Sequence, residues 1–290
     1  MGVVGLGLIG GSIALDLRRL GVTVHGLVHR PETAQRALQR GLVDQVSTDP
    51  AVLQTCGLVV LALPLDGLLQ PDPALVAALP PQAVVTDVGS VKAPVLARWQ
   101  PLHPRFVASH PMAGTAAAGV EAGEAGLFSG RPWVATPDGH TDPQALETVH
   151  DLASALGAHW LCCDAGGHDQ AVALISHLPV LVSAALLQAA DRASSGSEQP
   201  GSAAQLPTLV RALASSGFAD TTRVGGGNPR LGTLMARSNQ AAVVEALQTY
   251  SQCFSELAHQ VELGRWGDLE QALHQAQQLR PPFVDPPAAD

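Results

Sequence analysis

Residues 1–15, Met1-Gly2-Val3-Val4-Gly5-Leu6-Gly7-Leu8-Ile9-Gly10-Gly11-Ser12-Ile13-Ala14-Leu15, decide how the rest of the chain is read. A short apolar run leads straight into spaced glycines, and these open an apolar segment of helical character: strand, glycine turn, helix. In that order Gly5 permits the tight turn, Gly7 lets a diphosphate approach the backbone, and Gly10 lets helix and strand pack closely. The unpaired N–H groups at the helix start, around Leu8 and Ile9, then meet the diphosphate oxygens. Glycines at this spacing alone are weak evidence. Placed after a strand and before a helix, they predict a dinucleotide site rather than a bare tight connection.

Which dinucleotide is decided by the end of the next strand, read over Val22–Val28 after a first helix closed by Gly21. An NAD site usually carries Asp or Glu about 20 residues past the glycines to hold the ribose 2′-hydroxyl. Here His29-Arg30 stands instead. A guanidinium there can pair with a 2′-phosphate, and a charge-assisted bond of about 1.5–3 kcal/mol gives roughly ten- to hundredfold preference for NADP. The alternative is a solvated surface arginine.

Length and composition set the bounds. The 290 residues suit two domains; with 46% apolar but only 3% aromatic residues, the core must be built of Leu, Val and Ala. A net charge of −9 argues against a nucleic-acid partner, so an anionic substrate needs local positive groups. Cys56, Cys162, Cys163 and Cys253 show neither metal spacing nor a disulfide framework, which fits a reduced, cytoplasmic setting. No signal peptide precedes the first strand, and Pro, His or Asp interrupts every apolar run before membrane-spanning length, so a soluble protein is expected.

Beyond His29-Arg30 a helix (Pro31–Arg40) and a short Leu42-Val43-Asp44 segment precede the apolar run Leu58–Leu63, which ends at Pro64. Ligands of open parallel sheets lie beyond the strands' carboxyl ends, so Leu63 and Pro64 are expected to border the cofactor. A helix (Asp72–Leu79) and the strand Ala83–Thr86 lead into the loop Asp87-Val88-Gly89-Ser90-Val91-Lys92 at the same edge. Lys92 is the only lysine beside fifteen arginines. A compact ammonium does what a planar fork cannot, so Lys92 either touches the substrate region or closes the loop, against an ordinary surface role.

Phe106–Ser109 reads as a strand ending in His110-Pro111-Met112-Ala113-Gly114-Thr115. A histidine at a buried strand's carboxyl end can take a hydroxyl proton at neutral pH while hydride leaves the same carbon. His110 is therefore the catalytic candidate, against a structural histidine satisfied by backbone. Trp133–Pro137, a helix over Pro143–Leu156 and His159–Cys163 complete the alternation. A parallel-sheet, Rossmann-type α/β domain is thus expected over 1–163.

From Asp164 the strand pattern stops, and a helical domain is expected over 164–280. A long apolar helix from His168 to Ala190 is kinked at His177-Leu178-Pro179. Its apolarity suits a bundle centre or a dimer interface; His177 either points at the active site or caps a carbonyl the proline frees. Asp191–Gln205 reads as a polar loop, Leu206–Ser216, Leu231–Val261 and Trp266–Leu279 as helices, and 281–290 as a Pro-rich tail without order. Arg223, between Asp220 and a glycine run, supplies what bidentate carboxylate recognition needs; the alternative is a salt bridge to Asp220.

In this order the stretches VVGLGLIGGS, TDVGSVK, SHPMAGT, HDQAVALISHLP and SGFADTTRVGGGNP resemble the prephenate and arogenate dehydrogenases of tyrosine biosynthesis, along nearly the whole chain. The chain looks most like the small, single-activity arogenate type, with no chorismate mutase region ahead of it and no regulatory domain behind. The resemblance implies oxidation of a cyclohexadienol carboxylate, with hydride passing to the nicotinamide, ring CO2 lost and a phenol formed. It implies that His110 accepts the ring hydroxyl proton, that Ser90 hydrogen-bonds His110 and the reacting region, that Arg223 binds a substrate carboxylate, and that Asp220 orients the arginine. It also implies a homodimer joined through the helical domains. Many prephenate enzymes carry a histidine where this chain has Val180 and a basic residue where it has Ala219. With His29-Arg30, those departures lean towards L-arogenate and NADP.

Overall fold

The computed structural model describes residues 1–115, 117–195 and 206–284. The sequence-expected loop Asp191–Gln205 and tail 281–290 fall partly outside these. Their described parts are helical: 191–195 end one helix and 281–284 end another.

Six strands form the main sheet: β1 (Gly2–Val4), β2 (His25–Leu27), β3 (Gln45–Ser47), β4 (Leu58–Leu61), β5 (Val84–Asp87) and β6 (Phe106–Val107). They are all parallel, in the order β3-β2-β1-β4-β5-β6. This is the doubly wound arrangement, with its chain reversal between β1 and β4, where ligands bind. Every residue of β1, β4 and β5 is buried, as parallel strands covered on both faces require. The intervening helices are α1 (Leu8–Arg19), α2 (Pro31–Gln39), α3 (Leu65–Leu69), α4 (Pro73–Ala78) and α5 (Ala93–Trp99).

A second sheet was not legible in the sequence. It comprises β7 (Ser109–Pro111), β8 (Pro132–Ala135) and β9 (His159–Cys162), with β7 antiparallel and β9 parallel to β8. The expected single strand 106–109 therefore changes sheets at Ala108, whose carbonyl accepts the Thr136 N–H at 3.0 Å. This turn places His110 within β7 rather than beyond a strand end. Helix α6 (Pro143–Ala155) covers this region, its start capped by the Asp142 carboxylate.

After β9 the described residues hold only helices. Asp164 caps α7 (Ala165–Val172), a π-helical turn follows over Ala173–His177, and α8 (Leu178–Ser195) continues. Pro179 has no N–H to give the preceding turn, and the wider turn is how the expected kink is absorbed. By length and apolarity Ala165–Ser194 would span a bilayer, although polar residues had been expected to break it. Those interruptions, His168, Asp169 and His177, are buried and bonded into the site described below.

Next come α9 (Leu206–Leu213), α10 (Ser216–Thr222), α11 (Pro229–Ser238), α12 (Gln240–Glu262) and α13 (Trp266–Val284). The one helix expected over Leu231–Val261 is two, interrupted at Asn239. Residues Met1–Gln240 form one compact unit and Ala241–Asp290 a second. Within the second, α12 and α13 are joined through Gly264, at φ +63, and expose Phe254, Trp266, Leu273 and Phe283.

Candidate active site

The glycine turn sits at the β1/β4 reversal. Gly5 has φ +89, and a Cβ there would lie 2.4 Å from the Ala62 carbonyl oxygen. At Gly10 a Cβ would come within 1.9 Å of the Gly5 oxygen and 2.8 Å of the Ala62 Cβ. Both positions are therefore fixed by the protein's own packing. Gly7 is different: a Cβ there meets nothing within 4 Å, leaving its face open for an approaching group. Gly7 caps α1 without any side-chain hydrogen bond, so the first N–H groups of the helix, from Leu8 and Ile9, have no partner within it. This cradle fits a diphosphate. Leu63 lies beside it, 3.7 Å from a Cβ on Gly5, and Pro64 caps α3. His29 and Arg30 follow β2, both exposed; Arg30 has no ion-pair partner among the described residues.

The loop after β5 is held by a buried ion pair. Lys92 is fully buried, and its ammonium donates to Asp87 and, at 2.7 Å, to the Ser109 carbonyl. Asp87 also accepts the N–H groups of Gly89 (2.7 Å) and Ser109 (3.1 Å). The pair thus ties the end of β5 to the residue before His110. Burial pushes the Asp87 carboxyl up and the Lys92 ammonium down, each opposed by the other's charge. Lys92 closes the loop rather than touching the substrate, the first of the two roles left open for it: it has no exposed surface, and its ammonium is taken up by Asp87 and the Ser109 carbonyl.

His110, half-buried, faces a neighbour the sequence reading had not singled out. Its Nδ1 lies 3.0 Å from Nε2 of His168, whose own Nδ1 lies 2.8 Å from Oδ1 of Asp169. Asp169 in turn accepts the Lys92 N–H at 2.6 Å and the Ala93 N–H at 2.9 Å, which joins α7 to the start of α5. A carboxylate accepts only, so His168 Nδ1 donates to Asp169, and in the neutral ring its Nε2 is the acceptor. Opposite that acceptor His110 Nδ1 is the donor, and its Nε2 keeps the lone pair. Burial first, then the Lys92 ammonium, then His168 and His177, hold His110 well below its ordinary value. It is a neutral base at neutral pH.

Asn239, at the break between α11 and α12, donates to the Asp169 carbonyl at 2.7 Å and lies 3.3 Å from Nδ1 of His177. His177 is buried, lowered by that burial, and its Nε2 has no hydrogen-bond partner among the described residues. One other expectation is corrected. Ser90 is half-buried and does not hydrogen-bond His110, whose Nδ1 is taken by His168. Asp220 and Arg223 are both exposed, with no ion pair between them. They sit on α10 and just beyond it; Gly225, two residues on, packs its N–H on the Ser183 hydroxyl of α8 at 2.8 Å.

A doubly wound sheet, an open glycine cradle and a neutral histidine base define a dinucleotide-dependent dehydrogenase. The comparisons narrow that class. Residues 13–162 match the prephenate dehydrogenase nucleotide-binding domain and residues 164–275 the prephenate dehydrogenase dimerization domain, so the chain belongs to the prephenate/arogenate dehydrogenase family of tyrosine biosynthesis. Among solved structures it is similar to Synechocystis arogenate dehydrogenase, with 42% identity and TM-score 0.79 over 98% of this chain and 99% of that one. It also resembles Aquifex aeolicus prephenate dehydrogenase in complex with hydroxyphenyl propionate and NAD+, at 27% identity and TM-score 0.86 over 96% of each chain. Prephenate dehydrogenase of Bacillus subtilis is 31% identical over 78% of this chain, a match spanning 60% of the Bacillus protein. Cyclohexadienyl dehydrogenase of Zymomonas mobilis is 32% identical, over 86% of this chain and 83% of its own length.

Proposed function

We propose that the protein oxidises L-arogenate to L-tyrosine with loss of CO2, using NADP+. The observation that carries the reaction is the His110 Nδ1 contact to His168 Nε2 at 3.0 Å, which leaves Nε2 of a histidine held well below its ordinary value to act as the base. The substrate assignment is supported by 42% identity to an arogenate dehydrogenase over nearly the whole chain. The apolar Val180, which packs against the buried core, supports it further.

NADP+ supplies a hydride acceptor when bound. Gly5, Gly7, Leu8, Ile9 and Gly10 would hold its diphosphate, Leu63 and Pro64 its flank, and His29 and Arg30 its 2′-phosphate. His110 Nε2 takes the ring hydroxyl proton as the carbon loses hydride, and the C–O bond becomes a carbonyl. The ring carboxylate then leaves as CO2, its bonding pair enters the ring, and the phenolate oxygen recovers the proton from His110. Arg223 would bind a substrate carboxylate with Asp220 beside it, and His177 and Ser90 would contact the substrate. Residues 1–163 would form the cofactor domain and 164–280 the dimerisation domain. A homodimer through the latter is supported by the family description and by exposed Leu174, Ile175 and Trp266.

Prephenate is the second reading, favoured by the Aquifex and Bacillus relatives. The test offers arogenate and prephenate separately with NADP+ and with NAD+, following absorbance of the reduced cofactor and identifying the product by chromatography. Tyrosine from arogenate with NADP+ is expected; turnover of prephenate alone would overturn the substrate assignment.

A further inference from the structure

Beyond the residues that meet substrate or cofactor, two buried polar groups stand in series behind His110. His168 is 3% exposed and Asp169 5%, and both lie in α7, while His110 belongs to β7. The series is anchored at its far end. Asp169 uses both carboxylate oxygens on the N–H groups of Lys92 and Ala93, and its backbone carbonyl accepts from Asn239. With no freedom to turn, the carboxylate dictates the His168 tautomer, and His168 dictates that of His110.

We propose that His168 and Asp169 are positioning residues that hold His110 as the Nδ1–H tautomer, its Nε2 lone pair turned to the reacting hydroxyl. Rotation of the ring would aim a C–H at the hydroxyl, and the opposite tautomer an N–H; neither leaves a base there. When Nε2 takes the proton, His110 carries a positive charge and still donates its Nδ1–H to His168, which still donates to Asp169. The charge therefore develops at one end of a hydrogen-bonded series that finishes in a carboxylate. No proton has to leave His110 for this; it stays on Nε2 until it returns to the product oxygen.

The role in turnover rests on the reaction proposed above, whereas the tautomer is a property of the free protein. Two replacements of similar size separate positioning from packing. His168→Gln keeps an amide oxygen that can accept from His110 Nδ1, and His168→Phe keeps the bulk but no acceptor. We expect His168→Phe to lower kcat by at least about tenfold with little change in KM, general-base catalysis being worth about 10²–10⁴-fold in all. His168→Gln should exceed the Phe variant by about tenfold, of the order of one hydrogen bond. Equal activity of the two variants, or a Phe variant as active as the parent, would overturn the proposal.

Nitrogen-15 NMR of histidine-labelled protein supplies a readout independent of turnover, with the His110 signals assigned by their loss in His110→Asn. The parent should show a protonated Nδ1 and an unprotonated Nε2, and His168→Phe should show a mixture. A parent His110 protonated on Nε2 would refute the relay whatever the substrate proves to be. A parent that turns over neither arogenate nor prephenate would instead remove the proposed reaction, and the tautomer would still decide the inference.

Discussion

Replacing Lys92 by methionine removes a fully buried charge while roughly keeping the side chain's length. The Lys92 ammonium and the Asp87 carboxylate are both fully buried, and without the ammonium Asp87 keeps only the N–H groups of Gly89 and Ser109. Breaking a buried pair on one side costs about 3–5 kcal/mol, because the remaining charge has no compensation. At about 2–4 °C per kcal/mol for a chain of this order, Tm should fall by roughly 6–20 °C. Burial already raises the Asp87 carboxyl against the opposing pull of Lys92, and losing that pull raises it further. A carboxyl whose folded value lies above its unfolded one favours the fold below the unfolded value and loses that contribution as pH rises through the folded one. The deficit of Lys92→Met should therefore be smallest in acid and largest at about pH 8. Asp87→Asn on top of Lys92→Met should restore part of the loss, since replacing a whole pair is far milder than halving it. Thermal melts of the parent, both single variants and the double across pH would show this. A Lys92→Met protein that melts with the parent at every pH would refute the account of the pair.

Other expectations follow from the same geometry. Gly10→Ala drives a Cβ to 1.9 Å from the Gly5 oxygen and should lower stability by about 1–3 kcal/mol or more, whereas Gly7→Ala, with nothing within 4 Å, should melt like the parent and lose cofactor affinity. Melts and cofactor titrations that fail to separate the two variants would contradict the cradle. Arg30→Ala should weaken NADP+ roughly ten- to hundredfold more than NAD+; equal losses in a cofactor titration would mean that the 2′-phosphate is held elsewhere. Burial lowers His103, His110 and His177, so the unfolded chain takes up protons there before the native one does. That stability is complete above the unfolded value of about 6.5 and is lost as pH falls through the lowered folded values, by up to about 1.4 kcal/mol per pH unit for each histidine. Urea unfolding at about pH 7.5 and about pH 5.5 measures this, and equal midpoints would contradict it.

The sequence was most legible where burial leaves a continuous apolar run. Strands β1, β4 and β5 announce themselves that way, and the glycines between β1 and α1 mark the ligand-binding reversal. Strand β3 (Gln45–Ser47) is a short edge strand, only half covered, and nothing in its composition separates it from a loop. The passage of the chain from one sheet to the other at Ala108 depends on Thr136, far along the sequence. Lysine's single occurrence pointed to Lys92, but its partner Asp87 is brought to it only by the folded turn. Asp220 and Arg223 stand three apart, a spacing that allows pairing on a helix; both are exposed and unpaired with each other. His168 and Asp169 read as polar interruptions in an apolar helix. Two adjacent ionisable residues at the head of such a run were the available signal, and their meaning appears only when α7 packs against α5 and β7. Asn239 interrupts a helical pattern that reads as continuous, so its bond to Asp169 had no sequence counterpart.

In the proposed reaction His110 is the base that takes the hydroxyl proton. Cofactor binding and arogenate turnover of the His110→Asn protein, measured beside the parent, test that most directly. Cofactor affinity should be unchanged, because the cradle is built from other residues, and turnover should fall by at least about a hundredfold. Turnover close to that of the parent would mean that His110 is not the base.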